Sequence, residues 1–103
     1  MTTMLHLVNK SPFERNNLDS CLRLAKSGSS VLLLEDGVFA AMNNAAYADA
    51  VKGRMGDLKF YVLGPDVSAR GLDDTPLIDG INVVDYGGFV DLVTEHDVAQ
   101  SWL

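Results

Sequence analysis

The chain has 103 residues, 48% of them hydrophobic and 21% charged, and a formal charge of −6. That length serves one compact core and is too short for two, so a single domain over residues 1–103 is expected. Eight scattered basic residues against fourteen acidic ones argue against direct contact with nucleic-acid phosphate. The lone thiol, Cys21, excludes an internal disulfide and hence a stapled secreted scaffold. "MTTMLHLVNKSP" lacks the features of a signal peptide, and no apolar run has the roughly 18 residues of a membrane span. These features lead to the expectation of a soluble cytoplasmic protein.

The first strand is expected at Met4–Val8, "MLHLV". Ser11-Pro12-Phe13-Glu14 has the form of a capping box with Pro at the first helical position. Leu18, Cys21, Leu22 and Ala25 follow at i, i+3, i+4 and i+7, the spacing of one helix face. Lys26 suits the last turn of that helix, and Gly28 its end. "SVLLLE", Ser30–Glu35, is apolar at consecutive positions, as in a strand covered on both faces.

Glu35-Asp36-Gly37 then separates that strand from a crossover running to about Val51, with an expected interruption at Asn43-Asn44. Asp36 is read as a helix N-cap and Gly37 as the residue that permits the turn. "LKFYVL", Leu58–Leu63, forms the third strand, followed by a short helix capped by Asp66 and ending at Arg70-Gly71. "INVVDY", Ile81–Tyr86, forms the fourth. A last helix capped by Asp85 places Phe89, Leu92 and Val93 on one face. Four strand–helix alternations imply an α/β fold: a small three-layer α/β/α domain around a mostly parallel, four- to five-stranded sheet.

In such sheets ligands bind beyond the carboxyl ends of the strands, which makes Glu35, Asp36 and Asp66 candidates for an autonomous binding module or enzyme. Acid–base catalysis needs a converging partner, and no His lies near them in sequence. A flavodoxin-type phosphate site needs glycine after the first strand, and "NKSPFERN" has none. His6 sits within the first strand between Leu5 and Leu7, the setting of a satisfied, partly buried imidazole rather than a base. His96 falls at the end of the last helix, where a cation favours the helix dipole. No metal-ligand spacing joins the histidines to each other or to Cys21, and no cofactor or metal is expected. Val38, Ala41, Met42 and Ala45 form a small-residue surface suited equally to subunit contact and to core packing. Trp102-Leu103 at the terminus calls for docking against the chain's own sheet or a neighbouring subunit.

"LHLVNKSP", "LLLEDGVFAA", "ARGL" and the terminal "WL" stand in an order and spacing that resemble the DsrH/TusB family across about Met4–Leu103. The resemblance implies a DsrE/flavodoxin-like fold and a subunit of a sulfur-relay complex, a dimer of heterotrimers. In one branch the partners are DsrE- and DsrF-like subunits and a DsrC-like carrier, acting in sulfur oxidation. In the other they are TusC- and TusD-like subunits and a TusE-like carrier, acting in tRNA wobble 2-thiouridine synthesis. Neither branch implies direct nucleic-acid or membrane contact by this chain. Asp36-Gly37-Val38 resembles a structural turn shared by these subunits.

The persulfide cysteine of the sibling subunits lies just after the third strand, before an Arg-Gly pair. Here "FYVLGPDVSARGL" has no thiol near Leu63–Pro65, which implies that the principal reactive cysteine belongs to a partner. Cys21 remains the candidate for accessory persulfide exchange. A position near a helix start, with Arg23 close in sequence, favours thiolate, whereas the apolar stripe around it favours an inert core thiol. A thiol here fits the DsrH branch better than TusB, whose members generally lack it, so the sulfur-oxidation reading is the one carried forward.

Overall fold

The computed structural model describes residues 4–10, 17–43 and 48–102. Its elements are β1 (Met4–Val8), α1 (Asn17–Leu24), β2 (Ser30–Leu33), a 3-10 segment (Glu35–Ala41), α2 (Ala48–Arg54), β3 (Lys59–Leu63), α3 (Gly64–Ala69), β4 (Asn82–Val84), α4 (Tyr86–Glu95) and β5 (Val98–Trp102). The strands form one sheet in the order β4-β3-β2-β1-β5, every neighbouring pair parallel. The α/β expectation holds. The strand order differs from the flavodoxin order 2-1-3-4-5, so the likeness to that fold is one of layering.

The topology distributes the helices unevenly. From β1 to β4 each crossover steps one strand in the same direction, and right-handed crossovers then place their helices on one face. On that face Leu18, Cys21, Leu22 and Ala25 of the α1 stripe pack with Val38, Val51 and Val67 over Val31, Leu33, Phe60 and Val62. The return from β4 to β5 runs the other way across the sheet, which puts α4, alone among the described helices, on the second face. There Leu92 packs on Leu5 and Leu32, with Leu7, Tyr61, Val84 and Phe89 only partly covered. β2 is buried at every position, as its uninterrupted apolar run requires.

Local details follow and amend the sequence reading. Gly28, at φ +92°, makes the turn after α1, its N–H donating to the Asp57 carbonyl. Asp85 caps α4, its carboxylate accepting the Gly88 N–H at 2.8 Å. α3 ends at Arg70-Gly71, where Gly71 adopts φ +67°. Two expected caps are not caps. Leu34 and Leu63 occupy the N-cap positions of the 3-10 segment and α3 without side-chain hydrogen bonds, and Asp36 and Asp66 lie within the first turns. Val93 is half exposed instead of buried beside Leu92. Val38, Ala41 and Met42 are core residues, so packing accounts for them; Ala45 lies outside the described residues. So do the capping box at 11–14 and Leu103.

The strand that went unseen in the sequence is β5. It pairs with β1 in the register Met4↔Val98 to Val8↔Trp102, so Trp102 docks on the chain's own sheet. Among the described residues, no helix is long and apolar enough to cross a membrane.

Candidate functional site

The carboxyl ends of β1, β2, β3 and β4 bring together the loops that the sequence singled out. Leu34 leaves β2 with its N–H donated to the Val8 carbonyl, and the chain turns directly into the 3-10 segment. Gly37 is needed here for closeness of approach. A Cβ at that position would stand 2.1 Å from the Val8 carbonyl oxygen, deep inside contact distance of fixed backbone. Its φ is not in the left-handed region; that conformation falls to Glu35, at φ +50°. For a residue with a Cβ this is an uncommon, strained setting.

α3 supplies the compensation. The Glu35 N–H donates to Asp66 Oδ2 at 2.6 Å. One turn further on, Arg70 directs Nε and Nη2 onto Asp36 Oδ1, each at 2.9 Å. Arg70 also donates through Nη1 to the Asp66 carbonyl at 3.3 Å. Two of the carboxylates proposed for a strand-end catalytic site, Asp36 and Asp66, are therefore committed to bracing the β2 loop against α3, while Glu35 joins the brace through its backbone and is exposed. Among the described residues, no group of three or more His, Cys, Asp or Glu side chains is placed to hold a metal.

Beside this brace, the end of β3 opens onto a shallow cleft of about 430 Å³, floored by Gly64, Val67, Leu72, Leu77 and Val83 with Ser68 and Asp73 at its edge. The Ser68 hydroxyl is engaged with Asp73 Oδ1 at 2.6 Å. The residues lining the cleft include no cysteine. Gly64-Pro65 occupies the position after β3 where the sibling subunits' thiol is expected.

Cys21 lies elsewhere. It faces the sheet from α1, has no exposed surface, and belongs to the main apolar cluster. Burial pushes its thiol up to about 12, and the opposing pull of a cation comes from Arg54, not from Arg23. Arg54 itself is occupied by the Ala25 carbonyl at 2.8 Å and by Asp57 at 3.5 Å. A sulfur nucleophile must be a thiolate, and this environment favours the protonated form.

The two histidines have structural partners. His6 is buried, and its Nδ1 accepts the Trp102 Nε1–H at 3.0 Å. That bond assigns the neutral ring's proton to Nε2, which has no hydrogen-bond partner among the described residues. Burial lowers the pKa of His6 and keeps it neutral. His96 follows α4, with Nδ1 2.7 Å from the Leu92 carbonyl and Nε2 2.9 Å from Ser30 Oγ, tying that helix to the start of β2. The expectation of a helix-terminal histidine holds, but its bond to β2 could not be read from sequence. A separation of 66 residues leaves no local signal.

Fold and site together define a small parallel α/β protein whose strand-end polar residues serve as braces and whose thiol is buried. Residues 10–99 match the family described as DsrH like protein. Protein TusB of Pectobacterium parmentieri is 36% identical over 100 residues, covering 96% of this chain and 100% of that protein. Protein TusB of Shigella flexneri is 37% identical over 99 residues with the same coverage, and that of Escherichia coli K12 is 35% identical over 99 residues. The chain belongs to the DsrH/TusB family. The crystal structure of ychN protein from E. coli superposes with TM-score 0.87 at 18% identity, over 98% of this chain and 99% of that one. MTH1491 from Methanobacterium thermoautotrophicum gives 0.75 at 19%, again over 98% and 99%, so the fold is shared with both.

Proposed function

We propose that this chain, as one domain spanning residues 1–103, is a TusB-like subunit of a cytoplasmic sulfur-relay complex. Its partners are TusC- and TusD-like subunits, and the complex passes sulfur through a TusE-like carrier towards 2-thiouridine at the tRNA wobble position. The observation that carries this reading is the 35–37% identity, end to end, to proteins named TusB. The sulfur-oxidation reading, with DsrE- and DsrF-like partners and a DsrC-like carrier, drew its preference from the presence of Cys21, a thiol that TusB members generally lack. The end-to-end identity to proteins named TusB outweighs that ground, and the burial of Cys21 supports a packing role for it.

In such a relay an acceptor thiolate attacks the outer sulfur of a donor persulfide. The sulfur–sulfur bond of the donor breaks, and the donor is left as thiolate. The principal donor cysteine sits on a partner. This chain contributes a rigid shoulder, and Cys21 contributes packing.

Co-expression with the TusC- and TusD-like subunits of the same organism tests the proposal. The chain is expected to co-purify with both, and its deletion to abolish 2-thiouridine measured by mass spectrometry of tRNA nucleosides. Elution alone, with thiolation unchanged in the deletion strain, overturns it.

A further inference from the structure

α4 carries an exposed apolar stripe that the fold does not use. Tyr86, Val90 and Val93 recur at i, i+4 and i+7 and are 60, 62 and 42% exposed. They lie beside the arc formed by Phe89 and Leu92, which faces the sheet. Around the outer surface of the same helix stand Asp91 and Glu95, both exposed. The charge is not local accident. Downstream of Arg70 the sequence contains seven carboxylates and neither Lys nor Arg. The described basic residues of the helices, Arg23, Lys52 and Arg54 among them, are on α1 and α2, which cover the opposite face.

We infer that the outer face of α4 is the docking surface for a partner protein that offers an apolar groove edged with Lys or Arg. Burying Tyr86, Val90 and Val93 supplies the apolar term, and the basic edge neutralises Asp91 and Glu95 and selects the partner. Charge complementarity decides the occupant. A second copy joined through this face by two-fold symmetry would set Asp91 and Glu95 against their own equivalents, with no cation between them. An anionic membrane is repelled for the same reason.

This inference rests on the reading of the chain as a subunit of the relay complex, and names the face through which it joins. The test uses the full chain co-expressed with its TusC- and TusD-like subunits, and compares wild type with Val90→Asp and with the double variant Asp91→Lys/Glu95→Lys. Both changes are on exposed positions, and unchanged circular dichroism and thermal midpoint establish that the variants fold. Val90→Asp is expected to weaken partner binding by about ten-fold or more, as loss of a central apolar contact does. The charge-reversed variant is expected to bind more weakly at low salt and to lose the salt dependence that wild type shows. If wild type binds its partners and both variants bind equally well, the α4 assignment is overturned while the subunit reading stands. If wild type binds neither partner, both fall. Self-association of wild type that Val90→Asp abolishes, with partner binding intact, also overturns the assignment, because it makes a second copy the occupant.

Discussion

The backbone N–H of Glu35 and the carboxylate of Asp66 meet at 2.6 Å across 31 residues of sequence, and the bond holds Glu35 at φ +50°. With Arg70 on Asp36 it forms a two-point brace that fixes the loop after β2 against α3. Removing either side of the brace should therefore cost stability. Asp66→Ala is expected to lower the unfolding free energy by about 1 kcal/mol, and Arg70→Ala by less, about 0.5 kcal/mol, since the ion pair is partly solvated. Glu35→Gly, which removes the Cβ from a left-handed residue, is expected to stabilise by about 1 kcal/mol. Urea unfolding at constant pH reads all three, and a destabilised Glu35→Gly would show that the strain is not there.

Gly37→Ala is expected to be far more harmful than the same change at Gly53, where an added Cβ meets nothing within 4 Å. The Val8 carbonyl already accepts the Leu34 N–H, so the 3-10 segment cannot lift away without breaking the end of the β1–β2 pairing. A loss of about 3 kcal/mol is expected at Gly37. At Gly53, within α2, substitution is expected to gain a few tenths or more from helix propensity, up to about 1 kcal/mol. Thermal unfolding of the two variants side by side gives the comparison.

Cys21 should behave as a protected thiol. At pH 8 it is expected to react with a thiol reagent many-fold more slowly in the native chain than in urea, because alkylation requires exposure of a group pushed up to about 12. The raised value also sets a sign. Above the ordinary pKa of 9.0 the unfolded chain releases the proton while the folded chain keeps it, so this contribution to stability falls as pH rises from 9 towards 12. Cys21→Ala should lose that component, giving a shallower decline between pH 9 and 10.5 than wild type. Fast native labelling at pH 8 would contradict the buried assignment.

His6 sets the opposite slope in acid. Its pKa is lowered by burial, so below the ordinary value of 6.5 the unfolded chain takes up a proton that the folded chain refuses. The stability that His6 contributes by staying neutral is complete above pH 6.5 and is lost as pH falls through its lowered folded value. The chain's single tryptophan, Trp102, is its hydrogen-bond partner, so indole fluorescence follows unfolding at the same place. Urea titrations from pH 7.5 to 5 should show wild type weakening more than His6→Gln. Equal slopes would remove His6 as the cause.

Much of the fold was readable because it is repeated locally. The α1 stripe, the apolar run of β2 and the Asp85 cap each announce themselves within a few residues, and each is found where expected. β5 was missed because Val98-Ala99-Gln100-Ser101-Trp102 has neither alternation nor a β-branched run. Its strand character comes from the edge that β1 offers, a tertiary effect. Asp36 and Asp66 were misread for a related reason. A short acidic residue after a strand is usually a cap, and only the return of α3 to the β2 loop shows that these two serve distant partners. Cys21 was ambiguous because one helix stripe serves core and reactive thiols alike; exposure, which sequence does not encode directly, separates them.

The parallel pairing of Met4–Val8 with Val98–Trp102 has a consequence for biosynthesis. β1 is made long before β5, so one of its flanks waits without its partner strand while the intervening residues are synthesised. Its hydrogen-bonding edge stays open to other strands and to chaperones throughout that interval. Closing the sheet is thus a late event, and any companion that recognises all five strands can meet them only after β5 has emerged.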